Sequence, residues 1–130
     1  MRFAESDTGG GYRIEAYGPE GIRVAGRTLR TGLVLTSAHL IEGWGPAEPS
    51  GLDAGHLGPL IELEPELILL GTGPTQIFPD PAVYFRVLER GIGLEIIDTG
   101  AACRTYNIRV AEGRRVAAGL LPLSSGAPST

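Results

Sequence analysis

The chain lacks most features of secreted and membrane-spanning proteins. It has a single cysteine, Cys103, so it cannot form an internal disulfide. No apolar run approaches the roughly 20 residues that a membrane-spanning helix needs. The first residues, MRFAESDTGGGY, have neither the apolar segment of a signal peptide nor the arginine- and serine-rich, acid-poor composition of a transit peptide. We therefore expect a cytoplasmic protein without a transmembrane segment.

Lysine is absent as well, since all 11 basic residues are arginines, and 15 acidic residues give a formal net charge of −4. This balance argues against nucleic-acid binding. No arginine lies between Arg30 and Arg86. All the residues of this segment that carry a formal charge are acidic. The simplest interpretation is a solvated acidic face. The alternative is a polar molecule whose acidic and arginine-rich sides orient a partner.

The hydrophobic pattern predicts an α/β fold in a chain whose 130 residues suit one domain. Residues 12–36 alternate in period two between turn residues, as an antiparallel meander does. After a connector rich in glycine and proline, the apolar runs ELILLG, GLEII and RVAAGLLPL alternate with two helical segments. Strand, helix, strand, helix, strand at this spacing predicts parallel pairing.

We therefore predict a single three-layer α/β domain over residues 12–123. In it, an antiparallel N-terminal meander is joined to a parallel βαβαβ half. Residues 1–11, which end in glycines, are expected to form a flexible leader, and residues 124–130 a flexible tail.

Three aspartates are typical of helix starts. Asp53 is expected to cap a short helix that runs to about Leu60. Asp80 precedes Pro81, a residue favoured at the first helical position. Asp98 follows the strand GLEII, and either it or Thr99 is expected to cap the last helix, where Gly100 allows a close turn.

The triplet Asp98-Thr99-Gly100 also resembles the motif of an aspartic protease. Aspartic catalysis needs two close carboxylates that share one proton, which a short chain could supply by dimerising. However, a small protease of this type has its motif early in the chain, whereas here only 30 residues follow Gly100, and they begin with a helix. We therefore interpret Asp98 as a helix cap and predict no catalytic residue.

The triplet Gly71-Thr72-Gly73 follows a buried strand, where α/β sheets bind ligands. Its backbone N–H groups could hold an anion, or the triplet could be a structural turn. It is neither a dinucleotide-binding fingerprint, because residue 76 is Gln76, nor a P-loop.

Cys103 lies in the first turn of a predicted helix beside Arg104, a setting that lowers a thiol pKa. A buried structural cysteine is the alternative. The two histidines, His39 and His56, lack a metal-binding spacing, so we predict no metal site and no cofactor. The candidate ligand site comprises Gly71, Thr72, Gly73, Cys103, Arg104 and Asn107.

Four arginines near the C-terminal end could bind phosphate or the acidic surface of a partner. Alternatively, they are ordinary exposed residues of a helix and a loop. The candidate partner-binding residues are Arg104, Arg109, Arg114 and Arg115.

Taken together, ELILLGTG and GIGLEIIDTGAACRTYNIRVAEGRRVAAGLLPL resemble the Mth-type family of domain of unknown function 498. The likeness runs from Tyr12 to Leu123 and is strongest at LGTG, ACRTYN and EGRRV. It implies a compact three-layer α/β domain with the Mth-like fold, and it implies no catalytic constellation.

The family includes a mitochondrial complex I assembly factor that helps to build a respiratory NADH dehydrogenase through protein contacts at the membrane. The resemblance therefore implies a non-catalytic protein that contacts respiratory-chain subunits at the membrane face. The alternative is a small-ligand or anion-binding protein, or an unrecognised enzyme, with a pocket between the 71–73 loop and the 98–107 turn. The sequence does not decide the oligomeric state.

Overall fold

The structure is a computed structural model and describes residues 11–124. The predicted leader and tail therefore lie almost wholly outside the described residues. The strands are β1 (Ile14–Gly18), β2 (Gly21–Val24), β3 (Arg27–Leu29), β4 (Leu33–Leu35), β5 (Leu40–Glu42), β6 (Leu67–Gly71), β7 (Gly93–Ile97) and β8 (Val116–Leu120). The α-helices are α1 (Gly58–Glu62), α2 (Pro81–Leu88) and α3 (Thr99–Ala111), and 3-10 helices cover Pro49–Gly51 and Ala54–Leu57.

The strands form two sheets. In the first, β1, β2 and β3 pair in antiparallel order. In the second, the order is β5-β4-β8-β6-β7, and β6 pairs in parallel with both β7 and β8. The predicted α/β class is confirmed, including the antiparallel N-terminal strands and the parallel βαβαβ half.

One connection differs from the predicted meander. Strands β4 and β5 leave the first three strands, and β4 pairs in antiparallel fashion with β8. All three residues of β4 are buried, because both faces of this interior strand are covered. In strands β1 to β3, most residues of the outer face are instead exposed, as in strands with only one covered face.

The five-stranded sheet is the middle layer of the fold. Leu33, Leu69 and Ala118 on one face share a core with Tyr106 of α3 and Ile22 of the three-stranded sheet. The opposite face packs against α1, α2 and the 3-10 helix Ala54–Leu57. This second core includes Ile68, Leu70, Leu57, Leu60, Val83 and Val87. The two faces therefore carry separate apolar clusters on either side of one sheet.

The predicted helix caps are present. The carboxylate of Asp98 accepts a hydrogen bond from the N–H of Ala101 at 2.9 Å, and Asp80 accepts one from Ala82 at 2.8 Å. Asp53 accepts from Gly55 at 2.9 Å. Each cap satisfies an N–H that the first helical turn cannot pair internally.

Trp44 fixes the connector between the two halves of the chain. Its indole is buried on β8, where a Cβ at Gly119 would lie 2.7 Å from Trp44 Cη2. The indole N–H donates to the carbonyl of His56 at 2.9 Å. The loop that carries Trp44 is therefore packed onto the sheet.

Gly119→Ala tests this packing. The added methyl overlaps the indole, so we expect a loss of about 1–3 kcal/mol in the free energy of unfolding, measured with urea. In a Trp44→Phe background the same substitution should cost less, because phenylalanine lacks the far end of the ring. Equal costs in both backgrounds would show that the indole does not constrain Gly119.

Candidate functional site

The hydroxyl of Thr72 is used inside its own loop. It donates to the carbonyl of Thr75 at 2.7 Å and accepts from the N–H of Ile77 at 3.0 Å. The Thr72 side chain is buried. These bonds close the turn that follows β6, and they favour the structural interpretation of the 71–73 triplet.

The rest of this triplet is joined to Thr99, the first residue of α3. The N–H of Gly73 donates to Thr99 Oγ1 at 2.8 Å, and Thr99 Oγ1 donates to the carbonyl of Leu121 at 2.7 Å. A Cβ at Gly71 would lie 2.9 Å from the Cα of Thr99, so glycine permits this approach. Thr99 therefore links the loops after β6 and β8 to the start of α3.

Sequence reasoning missed the role of Thr99. Thr99 stands in the Asp98-Thr99-Gly100 triplet, from which only a helix cap and a close turn were predicted. The partners of Thr99, Gly73 and Leu121, are 26 and 22 residues away in sequence, so no local pattern names them.

Cys103 and Asn107 lie on α3 and face the interior of the fold. Burial raises the pKa of the Cys103 thiol to about 12, which outweighs the opposing effect of Arg104. Asn107 Oδ1 accepts from the N–H of Ile14 at 2.9 Å, and its Nδ2 donates to the Ile14 carbonyl at 2.8 Å. Asn107 thus pairs with the backbone of β1 much as a neighbouring strand would.

Arg104 lies at the surface against Tyr17. Its guanidinium carbon is 5.9 Å from the centroid of the Tyr17 ring, and Arg104 donates a hydrogen bond to the Tyr17 hydroxyl. Of the six candidate ligand residues, the structure therefore places Gly71 and Gly73 against Thr99, while Thr72 bonds within its own loop. The side chains on α3 have other partners, and a ligand site formed by all six stays a prediction.

The other three arginines lie at the opposite end of α3, with acidic partners. Arg109 Nη1 is 3.4 Å from Glu112 Oε1, and Arg114 Nε is 2.5 Å from Glu66 Oε2. We call Glu66, Arg109, Glu112, Arg114 and Arg115 the arginine–glutamate group. It does not include Arg104, so the four candidate partner-binding arginines divide between two places.

Glu66 is the centre of this group. It accepts from Arg114, and the backbone N–H of Arg115 donates to Glu66 Oε1 at 3.3 Å. The Arg114 hydrogen bond, followed by that from Arg115, lowers the pKa of Glu66 below its ordinary value of 4.5. The Arg115 side chain is 71% exposed, which makes it the member most open to an outside partner.

One surface feature was not predicted. Helix α2 buries Val83 and Val87 but exposes Phe85 and Leu88, at 67% and 55%, and Phe78 before the helix is 67% exposed. The helical spacing of Phe85 and Leu88 was visible in the sequence. We call Phe78, Phe85 and Leu88 the α2 apolar patch.

Metal and membrane features can be assessed for residues 11–124. There, no group of three or more histidine, cysteine or acidic side chains could hold a metal ion. No helix in this range is long and apolar enough to cross a membrane.

A family model described as protein of unknown function (DUF498/DUF598) matches residues 14–121. The chain belongs to this family. Membership in the DUF498 family confirms the predicted resemblance, and the family description assigns no reaction.

One relative has a named role. NADH dehydrogenase (ubiquinone) 1 alpha subcomplex assembly factor 3 of Danio rerio is 29% identical over 128 residues, which cover 97% of this chain and 73% of that protein.

Two solved structures are similar along nearly their whole lengths. An NMR structure from Xanthomonas campestris has a TM-score of 0.81 and 32% identity, and covers 100% of this chain and 98% of its own. A Bordetella pertussis protein described as a Mth938-like domain has a TM-score of 0.80 and 28% identity, with coverage of 95% and 94%. The predicted Mth-like fold is confirmed.

Asn107→Ala tests whether this residue serves the fold. It leaves the N–H and C=O of Ile14 without the amide, so we expect a loss of about 2–3 kcal/mol in unfolding free energy. Ile108→Ala is the control, because Ile108 is on the same helix and exposed, and it should cost under about 0.5 kcal/mol. Equal stability of the two variants in urea would contradict the structural role.

Glu66→Gln tests the electrostatics of the arginine–glutamate group. Because the folded-state pKa of Glu66 is lowered, its ionised form stabilises the protein above pH 4.5, and this stabilisation is lost as the pH falls through the folded-state pKa. The variant should therefore lose less stability than the wild type between neutral and acidic pH. Arg114→Met should flatten the curve in the same way. Parallel curves of unfolding free energy against pH for wild type and both variants would exclude this coupling.

Proposed function

We propose that this protein takes part in assembling a respiratory NADH dehydrogenase by binding one of its subunits at the cytoplasmic face of the membrane. The observation that carries the proposal is the similarity to an assembly factor of this enzyme, which extends over 97% of the chain. A match of this extent includes both sheets and all three helices.

The internal contacts of the candidate residues support binding rather than chemistry. The polar groups of Thr72, Thr99 and Asn107 form hydrogen bonds with backbone groups within the fold. The Cys103 thiol is buried, and its raised pKa keeps it protonated and poorly nucleophilic at neutral pH. The groups that a partner can reach are those of the surface.

The arginine–glutamate group is the partner-binding surface in this proposal. Arg115 has the most exposed side chain of the group, and its Nη1 lies 3.9 Å from Glu66 Oε1. Arginine forms bidentate hydrogen bonds with carboxylates, so an acidic surface of the subunit fits this group. An exposed charge of this kind steers and orients a partner more than it adds affinity.

Deletion and complementation test the proposal. In the organism that encodes the protein, deleting the gene should lower the amount of assembled NADH dehydrogenase on native gels, and the wild-type gene should restore it. The Arg115→Glu variant should fail to restore it. Arg30→Glu, which makes the same charge change between β3 and β4, should restore it as the wild type does.

The possible outcomes test the assembly role and the proposed binding surface separately. Normal assembly of the enzyme in the deletion strain would overturn the assembly role. Reduced assembly that Arg115→Glu fully restores would retain the role but exclude Arg115 as a contact. Unfolding in urea should show that both variants are as stable as the wild type, so that a failure reports binding and not folding.

A further inference from the structure

The exposed side of α3 joins the two places where the candidate arginines lie. Arg104 and Ile108 are four residues apart, so they lie on the same side of the helix. Both are exposed, Ile108 at 54%. Glu112, four residues further on, belongs to the arginine–glutamate group and is exposed as well. A continuous exposed surface therefore runs along α3 from Arg104 through Ile108 to this group.

The other sides of α3 serve the fold. Ala102, Cys103 and Tyr106 are buried in the core, and Asn107 bonds to the backbone of Ile14. These contacts fix how the helix is turned about its axis. They leave the side that faces away from the core open to a second protein.

Arg104 provides a positive charge at the first end of this surface. It donates a hydrogen bond to the hydroxyl of Tyr17, and its guanidinium carbon is 5.9 Å from the centroid of the ring. Because this hydroxyl is neutral, the bond orients the guanidinium without matching its charge. An arginine that is already oriented loses less conformational entropy when a carboxylate binds. Tyrosine and arginine are also enriched among the residues that dominate protein interfaces.

The arginine–glutamate group provides a positive charge at the second end. Its two glutamates each have an arginine partner, since Glu66 bonds to Arg114 and Glu112 lies 3.4 Å from Arg109. Arg115 is the third arginine of the group, and its side chain is 71% exposed. Both ends of the surface are therefore positive, although the whole chain has a formal net charge of −4.

We infer that this side of α3, from Arg104 through Ile108 to Arg115, is the docking surface for an acidic segment of the NADH dehydrogenase subunit. Carboxylates of the segment pair with the two arginines, and an apolar side chain between them packs on Ile108. The inference rests on the proposed function and extends its contact from the arginine–glutamate group along the helix. A surface of one helix side is small, which suits a partner that binds and then dissociates.

Photocrosslinking in the organism that encodes the protein tests the inference. A benzophenone amino acid replaces Ile108 in one variant and Phe85 of the α2 apolar patch in the other. Phe85 is the matched control because it is more exposed, at 67%, and belongs to the outer layer on the other side of the five-stranded sheet. Position 108 should form an adduct that contains an NADH dehydrogenase subunit, and position 85 should form several-fold less of it.

Charge reversal tests the arginine at the first end. Arg104→Glu should lower the yield of the adduct at position 108 several-fold, because it places a negative charge against a carboxylate of the partner. Arg90→Glu makes the same change at an exposed arginine that follows α2, and it should leave the yield unchanged. Unfolding in urea should show that both variants are as stable as the wild type.

The outcomes distinguish a failure of this surface from a failure of the assembly role. Equal yields at positions 108 and 85, no subunit adduct at position 108, or a yield that Arg104→Glu leaves unchanged would overturn the inference. If the deletion strain also has less assembled NADH dehydrogenase, the assembly role is retained and only the α3 surface is excluded. If the deletion strain assembles the enzyme normally, the proposed function fails and the inference fails with it.

Discussion

The fold depends on how the carboxyl ends of its parallel strands are tied to the start of α3, and the hydroxyl of Thr99 makes this connection. It accepts from Gly73 after β6 and donates to Leu121 after β8. This edge of a parallel sheet is where α/β proteins commonly bind ligands. Here the hydroxyls of Thr72 and Thr99 bond to groups of the fold itself.

The local parts of this fold were predictable because they depend on neighbouring residues. The caps at Asp80 and Asp98 follow from side chains that reach N–H groups two or three positions away. The parallel half follows from the spacing of its apolar runs. The transfer of β4 to the second sheet was not predictable in the same way, because Leu33–Leu35 pair with β8 across most of the chain.

The candidate site was harder to predict for the same reason. Asn107 was predicted as a candidate ligand residue, and the sequence gives no sign of its partner Ile14, which is 93 residues away. Arg104 and Tyr17 are 87 residues apart. The sequence places Cys103 beside Arg104, which lowers the pKa of a thiol. The structure places Cys103 in the core, where burial raises its pKa by more. The exposed side of α2 became evident only when packing showed which valines face inward.

These features make the surface, rather than a pocket at the strand ends, the functional part of the molecule in our account. The most direct test is affinity capture of the tagged protein from gently solubilised membranes of its own organism, with bound proteins identified by mass spectrometry. The account predicts enrichment of respiratory NADH dehydrogenase subunits with the wild type and their loss with Arg115→Glu. Capture that recovers none of these subunits with the wild type would contradict it.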